Sequence, residues 1–171
     1  MLPPYIGNPA VGNQSPYEAK SYEVVQVLGL SIKRCDILKG WLEHRSELRK
    51  LGFRSGFQWL DGSFVEDKSP NDIDIVIFHE NQAAQNAKII GNNKEVFLPD
   101  FSKIKYKVDP YYVDISRPGE SLIEQSSYWL NLFSHRRKDD LWKGMLKVRT
   151  NTPTDDKDAE KLLSSLRSSY V

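Results

Sequence analysis

The sequence has almost no cysteine and no long apolar stretch. Cys35 is the only cysteine among 171 residues, so no disulfide can form within the chain. No segment approaches the roughly 18 consecutive apolar residues of a membrane span. The first residues, Met1 to Pro4, lack the basic and apolar regions of a secretory signal. These absences predict a protein that does not enter a membrane and that works in the reducing cytoplasm.

An excess of charge of either sign is also missing. The chain carries 24 Lys and Arg residues against 23 Asp and Glu residues, which gives a formal net charge of +1. This balance gives no reason to expect broad adhesion to nucleic acid or to an acidic membrane surface. A polyanionic ligand would therefore have to be held locally, by a few basic side chains.

The order of apolar patterns and chain breakers predicts one domain of α/β (α+β) type. Residues 1–19 are rich in proline and glycine and are predicted to form an irregular arm, whereas residues 20–171 form the domain. Ser31 and Gly52 are typical of the two ends of a helix over residues 32–51. Further helices are predicted over 120–133 and 155–166, and strands over 56–60, 72–78, 108–115 and 144–148. Helices that alternate with strands indicate a small mixed β-sheet flanked by helices.

Asp72 and Asp74 stand two residues apart on a predicted strand. Alternate residues of a strand point to the same face, so both carboxylates would project from one side while Ile73 points to the other. Two carboxylates a few ångströms apart raise each other's pKa, and a divalent cation removes this repulsion. Mg²⁺ binds one or two carboxylates together with phosphate oxygens and water. The pair therefore predicts a Mg²⁺ site, with Mn²⁺ as the alternative ion.

Gly62 and Ser63 lie in a turn between two predicted strands, upstream of the carboxylate pair. A glycine at such a turn allows backbone N–H groups to approach a phosphate, and a small hydroxyl can donate to the phosphate oxygens. Each motif alone is common in turns and on exposed strands that have no functional role. Their order along the chain, strand, Gly-Ser, loop and Asp-x-Asp strand, favours a phosphate-binding site next to a metal site.

A third predicted strand offers two further carboxylates, Asp109 and Asp114. They are five residues apart and face opposite sides of a regular strand, so only one of them can join Asp72 and Asp74. Pro110 cannot donate a backbone hydrogen bond and predicts that this strand lies at an edge of the sheet, or that the residue marks the strand's entrance.

Basic side chains flank these strands. Three alternating lysines precede the third strand and are predicted to line one face, as a charged edge or as a phosphate contact: Lys103, Lys105 and Lys107. A second basic cluster spans residues 135–138, and Lys143 follows it. Arg136 and Lys143 are interpreted as contacts to a triphosphate or to RNA, with a solvated loop as the alternative.

Taken together, these residues resemble the polymerase-β-like nucleotidyltransferase superfamily. Its pattern is Gly-Ser, then two acidic residues separated by one residue on the next strand, then a third acidic residue on a neighbouring strand. In this chain the pattern falls on residues 59–78 and 108–113. The wider layout over residues 20–150 looks like that of small stand-alone bacterial members of the superfamily.

The resemblance implies a nucleotidyltransferase fold and selects the third acid. In the superfamily this acid follows one apolar residue and precedes an apolar run, a description that Asp109 fits, with Asp114 as its substitute. Asp72, Asp74 and Asp109 would then be the catalytic residues and the metal ligands. The nucleotide would be held by the residues of the turn and of the later basic segment: Gly62, Ser63, Arg136 and Lys143.

The implied reaction is the Mg²⁺-dependent transfer of a nucleoside monophosphate from a nucleoside triphosphate to a hydroxyl of a protein or RNA acceptor. Small stand-alone members often belong to toxin–antitoxin or phage-defence modules, and this analogy implies a protein partner. The alternative hypothesis is a non-catalytic nucleotide-sensing or partner-binding module with the same fold.

Overall fold

The computed structural model describes residues 6–7 and 15–170. Its strands are β1 (Ile6–Gly7), β2 (Tyr17–Glu18), β3 (Phe57–Asp61), β4 (Ile73–His79), β5 (Val108–Asp114), β6 (Trp142–Lys143) and β7 (Leu146–Arg149). Its helices are α1 (Ser21–Leu28), α2 (Ile32–Lys50), α3 (Ala87–Asn92), α4 (Lys94–Phe97), α5 (Pro99–Tyr106), α6 (Gly119–Phe133) and α7 (Pro153–Ser169). Short 3-10 helices follow β3 and β4 at Gly62–Val65 and Gln82–Gln85.

Five of these strands form one open mixed sheet in the order β2-β7-β3-β4-β5. β3 is antiparallel to both β4 and β7, whereas β5 is parallel to β4 and β2 is parallel to β7. β1 pairs separately with β6. β5 is an edge strand, as Pro110 predicts, because a residue without an N–H would interrupt the ladder of a central strand. The predicted single domain with a mixed sheet flanked by helices is confirmed.

α2 follows its sequence signals closely. The Oγ of Ser31 accepts a hydrogen bond from the N–H of Arg34 at 3.3 Å, and Gly52 adopts a φ of +90° just beyond the last turn. The apolar stripe of the helix is buried against the larger core, through Cys35, Leu38, Trp41, Leu42 and Leu48. The predicted helix over residues 32–51 is therefore confirmed to within one residue.

The sheet carries a core on each face because β4 is apolar on both. The isoleucines from Ile73 to Ile77 belong to the larger core, which also includes side chains of α1, α2 and α7. Val76 and Phe78 belong to a smaller core together with Phe133 of α6. Asp74 has the same parity as Val76 and Phe78, so its side chain projects from the face on which α6 packs.

The segment before β5 is a helix, in which alternating residues do not share a face. Lys103 and Lys105 lie on α5, and Lys107 adopts the left-handed conformation, with a φ of +56°, after the last helical turn. The three lysines therefore do not line one face, and that prediction is wrong. Pro99 occupies the first turn of α5, where its fixed φ favours a helix start over an extended chain.

Part of the predicted irregular arm is ordered into strands. Ile6–Gly7 pairs with β6, and Tyr17–Glu18 adds a parallel strand to β7. Residues 1–5 and 8–14 of the arm lie outside the described residues. After the arm, the apolar segment over residues 21–28 forms helix α1.

α6 covers the second face of the sheet only in part. Phe133 is buried and Trp129 stacks near Tyr111, with ring centroids 4.5 Å apart. In contrast, Ile123 and Tyr128 are 68% and 60% exposed.

Among the described residues, none of the helices has the length and apolar character that crossing a membrane requires.

A buried guanidinium connects α7 to the rest of the domain. Arg45 of α2 is fully buried, and its Nη2 lies 3.0 Å from Oδ1 of Asp156 on α7. The same guanidinium donates to Oε1 of Gln58 at 3.1 Å and to the carbonyl of Arg149 at 2.9 Å. Arg49 also pairs with Asp156. A charged group that is removed from water is tolerated only when it is paired and hydrogen-bonded. Arg45 therefore needs Asp156, and this pair makes α7 part of the folded core.

We expect Asp156→Ala to lower the free energy of unfolding by about 3–5 kcal/mol, because it leaves the buried charge of Arg45 uncompensated. The measurement is urea denaturation at neutral pH. Asp158→Ala is the matched control: its partner Lys161 is exposed, and the change should stay within about 0.5 kcal/mol. Equal small effects of the two substitutions would contradict this assignment.

Candidate active site

A cleft of 580 Å³ opens where β3 ends and where β4 and β5 begin, on the face of the sheet that α6 partly covers. Its lining includes each residue that the sequence selects for the site apart from Asp114: Gly62, Ser63, Asp72, Asp74, Asp109, Arg136 and Lys143. Four separate chain segments therefore meet in one concave surface. The coming together of residues so far apart in the sequence makes this cleft the candidate functional site.

Asp74 and Asp109 face each other across two neighbouring strands. The parallel register of β4 and β5 pairs Asp74 with Asp109 directly, so their side chains project from the same face. Asp72 lies just before β4, and its side chain is 29% exposed. The structure thus brings the three predicted carboxylates to one end of the sheet.

The acid cluster changes the proton affinity of its most central member. Burial and, to a smaller extent, the negative charges of Asp72 and Asp109 together raise the pKa of Asp74 to about 6. Lys103 and Lys143 act in the opposite direction. Burial and repulsion between neighbouring carboxylates therefore both disfavour the ionised form of Asp74.

Asp109 is held on one oxygen and free on the other. Its Oδ2 lies 2.6 Å from Nζ of Lys103 and accepts a hydrogen bond from the hydroxyl of Tyr111 at 3.0 Å. Its Oδ1 is buried and has no hydrogen-bond partner among the described residues. Lys103 also lies 3.8 Å from Oδ2 of Asp72. One ammonium group therefore occupies the position between two of the three predicted metal ligands.

The donor atoms of this cluster fit a hard divalent cation, since Mg²⁺ and Mn²⁺ prefer carboxylate oxygens, and the free Oδ1 of Asp109 is such an oxygen. However, within residues 6–7 and 15–170 no three His, Cys, Asp or Glu side chains lie close enough together to hold one ion. The ammonium of Lys103 holds Asp109 in this arrangement. A cation that bound Oδ2 of Asp109 or Oδ2 of Asp72 would compete with Lys103 for that oxygen.

Gly62 is required by the close packing of the turn against Asp74. Its φ is +78°, in the left-handed region, and a Cβ at this position would lie 1.7 Å from Oδ2 of Asp74. A side chain here would therefore collide with a carboxylate of the cluster as well as strain the backbone. The absence of a side chain on Gly62 places the Gly-Ser backbone directly beside the acidic residues.

Asp61 and Glu66, which were not selected from the sequence, hold the ammonium group of Lys143 in place. Its Nζ lies 3.0 Å from Oδ2 of Asp61 and 3.5 Å from Oε1 of Glu66, and it donates to the carbonyl of Gly62 at 3.3 Å. Burial raises the pKa of Asp61 to about 7, although the charge of Lys143 opposes this shift. Strand parity could have revealed Asp61, because it follows the inward-facing Trp59 by two residues.

Arg136 and Asp114 have partners of their own. Arg136 lines the cleft but forms an ion pair with Asp139 on the same loop. Asp114 lies at the far end of β5, where its Oδ1 accepts hydrogen bonds from the N–H (2.9 Å) and the hydroxyl (2.6 Å) of Ser116. The structure therefore does not place Asp114 with the other acids and leaves Asp109 as the third one.

The sequence matches a family of unknown function (DUF6932) over residues 1–149. The chain belongs to this family. The matched range contains every residue that lines the cleft, from Asp61 to Lys143, whereas α7 lies beyond it. Neither the curated proteins nor the solved structures contain a match to the chain.

We expect Gly62→Ala to destabilise the fold by about 2 kcal/mol or more, because the added Cβ both strains a positive φ and displaces Asp74. The free energy of unfolding from urea denaturation is the measurement. Gly119→Ala is the control, since a Cβ there meets no heavy atom within 4 Å. A Gly62→Ala protein as stable as the control would show that the turn and Asp74 do not pack as described.

We expect Asp74→Asn to stabilise the metal-free protein at high pH. The pKa of Asp74 is raised to about 6 in the folded state, so folding favours its protonated form, and ionisation costs stability as the pH rises from about 4 to 6. The gain should be about 2 kcal/mol near pH 8 and should fall towards zero near pH 4. Denaturation in the presence of a chelator measures it.

Asp114→Asn is the matched control for this pH dependence. Hydrogen bonds from Ser116 lower the pKa of Asp114, so its ionised form stabilises the fold, and its replacement should reduce stability at the same high pH. A loss of stability in both variants near pH 8 would contradict the described repulsion around Asp74.

Proposed function

We propose that this protein is a nucleotidyltransferase, which transfers a nucleoside monophosphate from a nucleoside triphosphate to a hydroxyl of a protein or RNA acceptor and releases pyrophosphate. The observation that carries the proposal is the direct pairing of Asp74 with Asp109 on adjacent parallel strands, beside a glycine turn that is packed against Asp74. The order of these residues along the chain and their meeting in one cleft agree with the nucleotidyltransferase pattern that the sequence resembles.

Asp72, Asp74 and Asp109 would hold the divalent cation, Mg²⁺ or Mn²⁺. When bound, such a cation supplies the charge that neutralises phosphate oxygens and lowers the pKa of an acceptor hydroxyl. The hydroxyl would lose its proton to solvent as its oxygen bonds to the α-phosphorus, and the contribution of the carboxylates would be to position charge. The buried Oδ1 of Asp109, which has no hydrogen-bond partner among the described residues, is the oxygen that supports this assignment most directly.

The residues across the cleft would bind the triphosphate. Gly62 leaves its backbone accessible beside the carboxylates, and the hydroxyl of Ser63 can donate to a phosphate oxygen. Lys143 is pre-positioned by Asp61 and Glu66, so it would lose little side-chain entropy when it meets a phosphate. Arg136 would contribute a bidentate guanidinium contact if phosphate replaced Asp139 as its partner.

A second candidate function is a non-catalytic nucleotide-sensing or partner-binding module. The ion pair between Lys103 and Asp109 favours this candidate, because it satisfies one carboxylate of the cluster without a metal. A protein partner is part of both candidates, and Ile123 and Tyr128 of α6 are exposed apolar side chains that a partner could cover. An assay for transfer separates the two.

We expect the purified protein to transfer label from an α-³²P nucleoside triphosphate to an acceptor in a cell extract that contains Mg²⁺. Each of the four nucleotides is tested separately, and digestion of the product with proteinase or ribonuclease identifies a protein or an RNA acceptor. Asp72→Ala/Asp74→Ala should reduce the transfer by at least about 10³-fold, because both carboxylates position the charge on which the reaction depends.

Asp114→Ala is the control variant for this assay, because Asp114 lies on β5 but outside the cleft, and it should retain transfer. Equal labelling by the wild type and by the Asp72→Ala/Asp74→Ala variant would exclude the enzyme. Binding of a nucleotide without any transfer would favour the non-catalytic module.

A further inference from the structure

Lys103 is placed where a metal ion would be expected. We infer that Lys103 is an internal counter-cation that competes with a divalent metal for Asp109 and Asp72, and that it transfers to the triphosphate when metal and nucleotide bind together. This inference deepens the proposed function and rests on it, because it concerns the same cleft. It assigns to one lysine of α5 the control over when the metal site forms.

Lys103 contacts two of the predicted metal ligands. Nζ of Lys103 lies 2.6 Å from Oδ2 of Asp109 and 3.8 Å from Oδ2 of Asp72, so it bridges two carboxylates from different chain segments. In this arrangement no three acidic, histidine or cysteine side chains among the described residues lie close enough together to hold one ion. The ammonium of Lys103 therefore competes with a metal for Oδ2 of Asp109 and Oδ2 of Asp72, whereas Oδ1 of Asp109 has no partner among the described residues.

Lys103 is placed so that its side chain can leave the carboxylates. Its side chain is 42% exposed, and it extends from a helix that borders the cleft rather than from the buried core. Phosphate oxygens can therefore reach the ammonium of Lys103, whereas the buried Asp109 keeps the hydroxyl of Tyr111 as a partner when Lys103 leaves. In contrast, Lys143 is 95% buried and paired with Asp61 and Glu66, so it cannot move as freely.

The positive charge of Lys103 would also repel a divalent ion bound beside it. A divalent ion that joined Asp72, Asp74 and Asp109 would leave the ammonium of Lys103 beside it without a partner, and like charges repel. A triphosphate in the same cleft supplies oxygens that can take over the ammonium. Metal alone should therefore bind weakly, whereas metal together with a triphosphate should bind tightly, a positive coupling between the two ligands.

The test compares two ligands by isothermal titration calorimetry on the full-length protein. The first ligand is Mn²⁺ alone, and the second is a preformed complex of Mn²⁺ with tripolyphosphate, which has the phosphates of a nucleotide but no base. In Lys103→Met we expect Mn²⁺ alone to bind about tenfold more tightly and the complex to bind about tenfold more weakly than in the wild type. A merely structural role of Lys103 would shift both affinities in the same direction.

Two further variants complete the comparison. Lys103→Arg keeps the positive charge and should bind Mn²⁺ alone as weakly as the wild type does. Lys105→Met removes a neighbouring lysine of α5 that pairs with Glu95 outside the cleft, and it should change neither affinity. Thermal unfolding of each variant verifies that the fold is intact, which the exposure of both lysines leads us to expect.

The inference is overturned if Lys103→Met binds Mn²⁺ no more tightly than the wild type, or if no variant binds Mn²⁺ at all. It is equally overturned if the complex binds as well to Lys103→Met as to the wild type. Its failure is distinguishable from failure of the proposed function. Opposite shifts without any nucleotide transfer would support a metal-dependent sensor, whereas transfer with unchanged affinities would leave the enzyme and exclude this role of Lys103.

Discussion

The repulsion between carboxylates at the start of β4 and β5 is the constraint around which the candidate site is arranged. Asp74 and Asp109 are fixed opposite each other by the parallel register of two strands, and Asp72 lies close enough to raise the pKa of Asp74. Backbone hydrogen bonds hold these strands, so the carboxylates cannot simply move apart. Lys103 and Lys143 approach the cluster from two other segments and offset part of this repulsion.

Such a cluster lowers the stability of the protein, and the rest of the fold must compensate. β4 is well suited to this because both of its faces are buried, the isoleucine face under α2 and the opposite face beside α6. The buried pair of Arg45 and Asp156 fixes α7 on the same side as α2. Most of the packing therefore lies on the face opposite the acids, and the face near α6 remains open enough for a cleft. Local destabilisation beside a firmly packed scaffold is common at sites that bind ligands.

Sequence reasoning was most successful where the signals are local. Ser31 and Gly52 mark the ends of α2 because capping depends on residues within one turn, and strand alternation relates Asp72 to Asp74 for a similar reason. It failed before β5, where alternating lysines imitate a strand although Pro99 begins a helix. The helix over 120–133 was predicted to within one residue, but the apolar pattern could not show how much of it the sheet covers.

By itself, the sequence determined the mixed sheet and the nature of the acidic motif, because these depend on residue type and short-range period. For Pro110 it left two alternatives, an edge strand or a strand entrance, and the sheet order places β5 at the edge. Only the tertiary structure decided which acid joins that motif: the register of β4 and β5 brings Asp109 opposite Asp74 and leaves Asp114 at the far end. The same holds for Lys103, which reaches the acids from α5. Contacts between residues that are distant in the chain depend on how elements pack, and no local pattern encodes them.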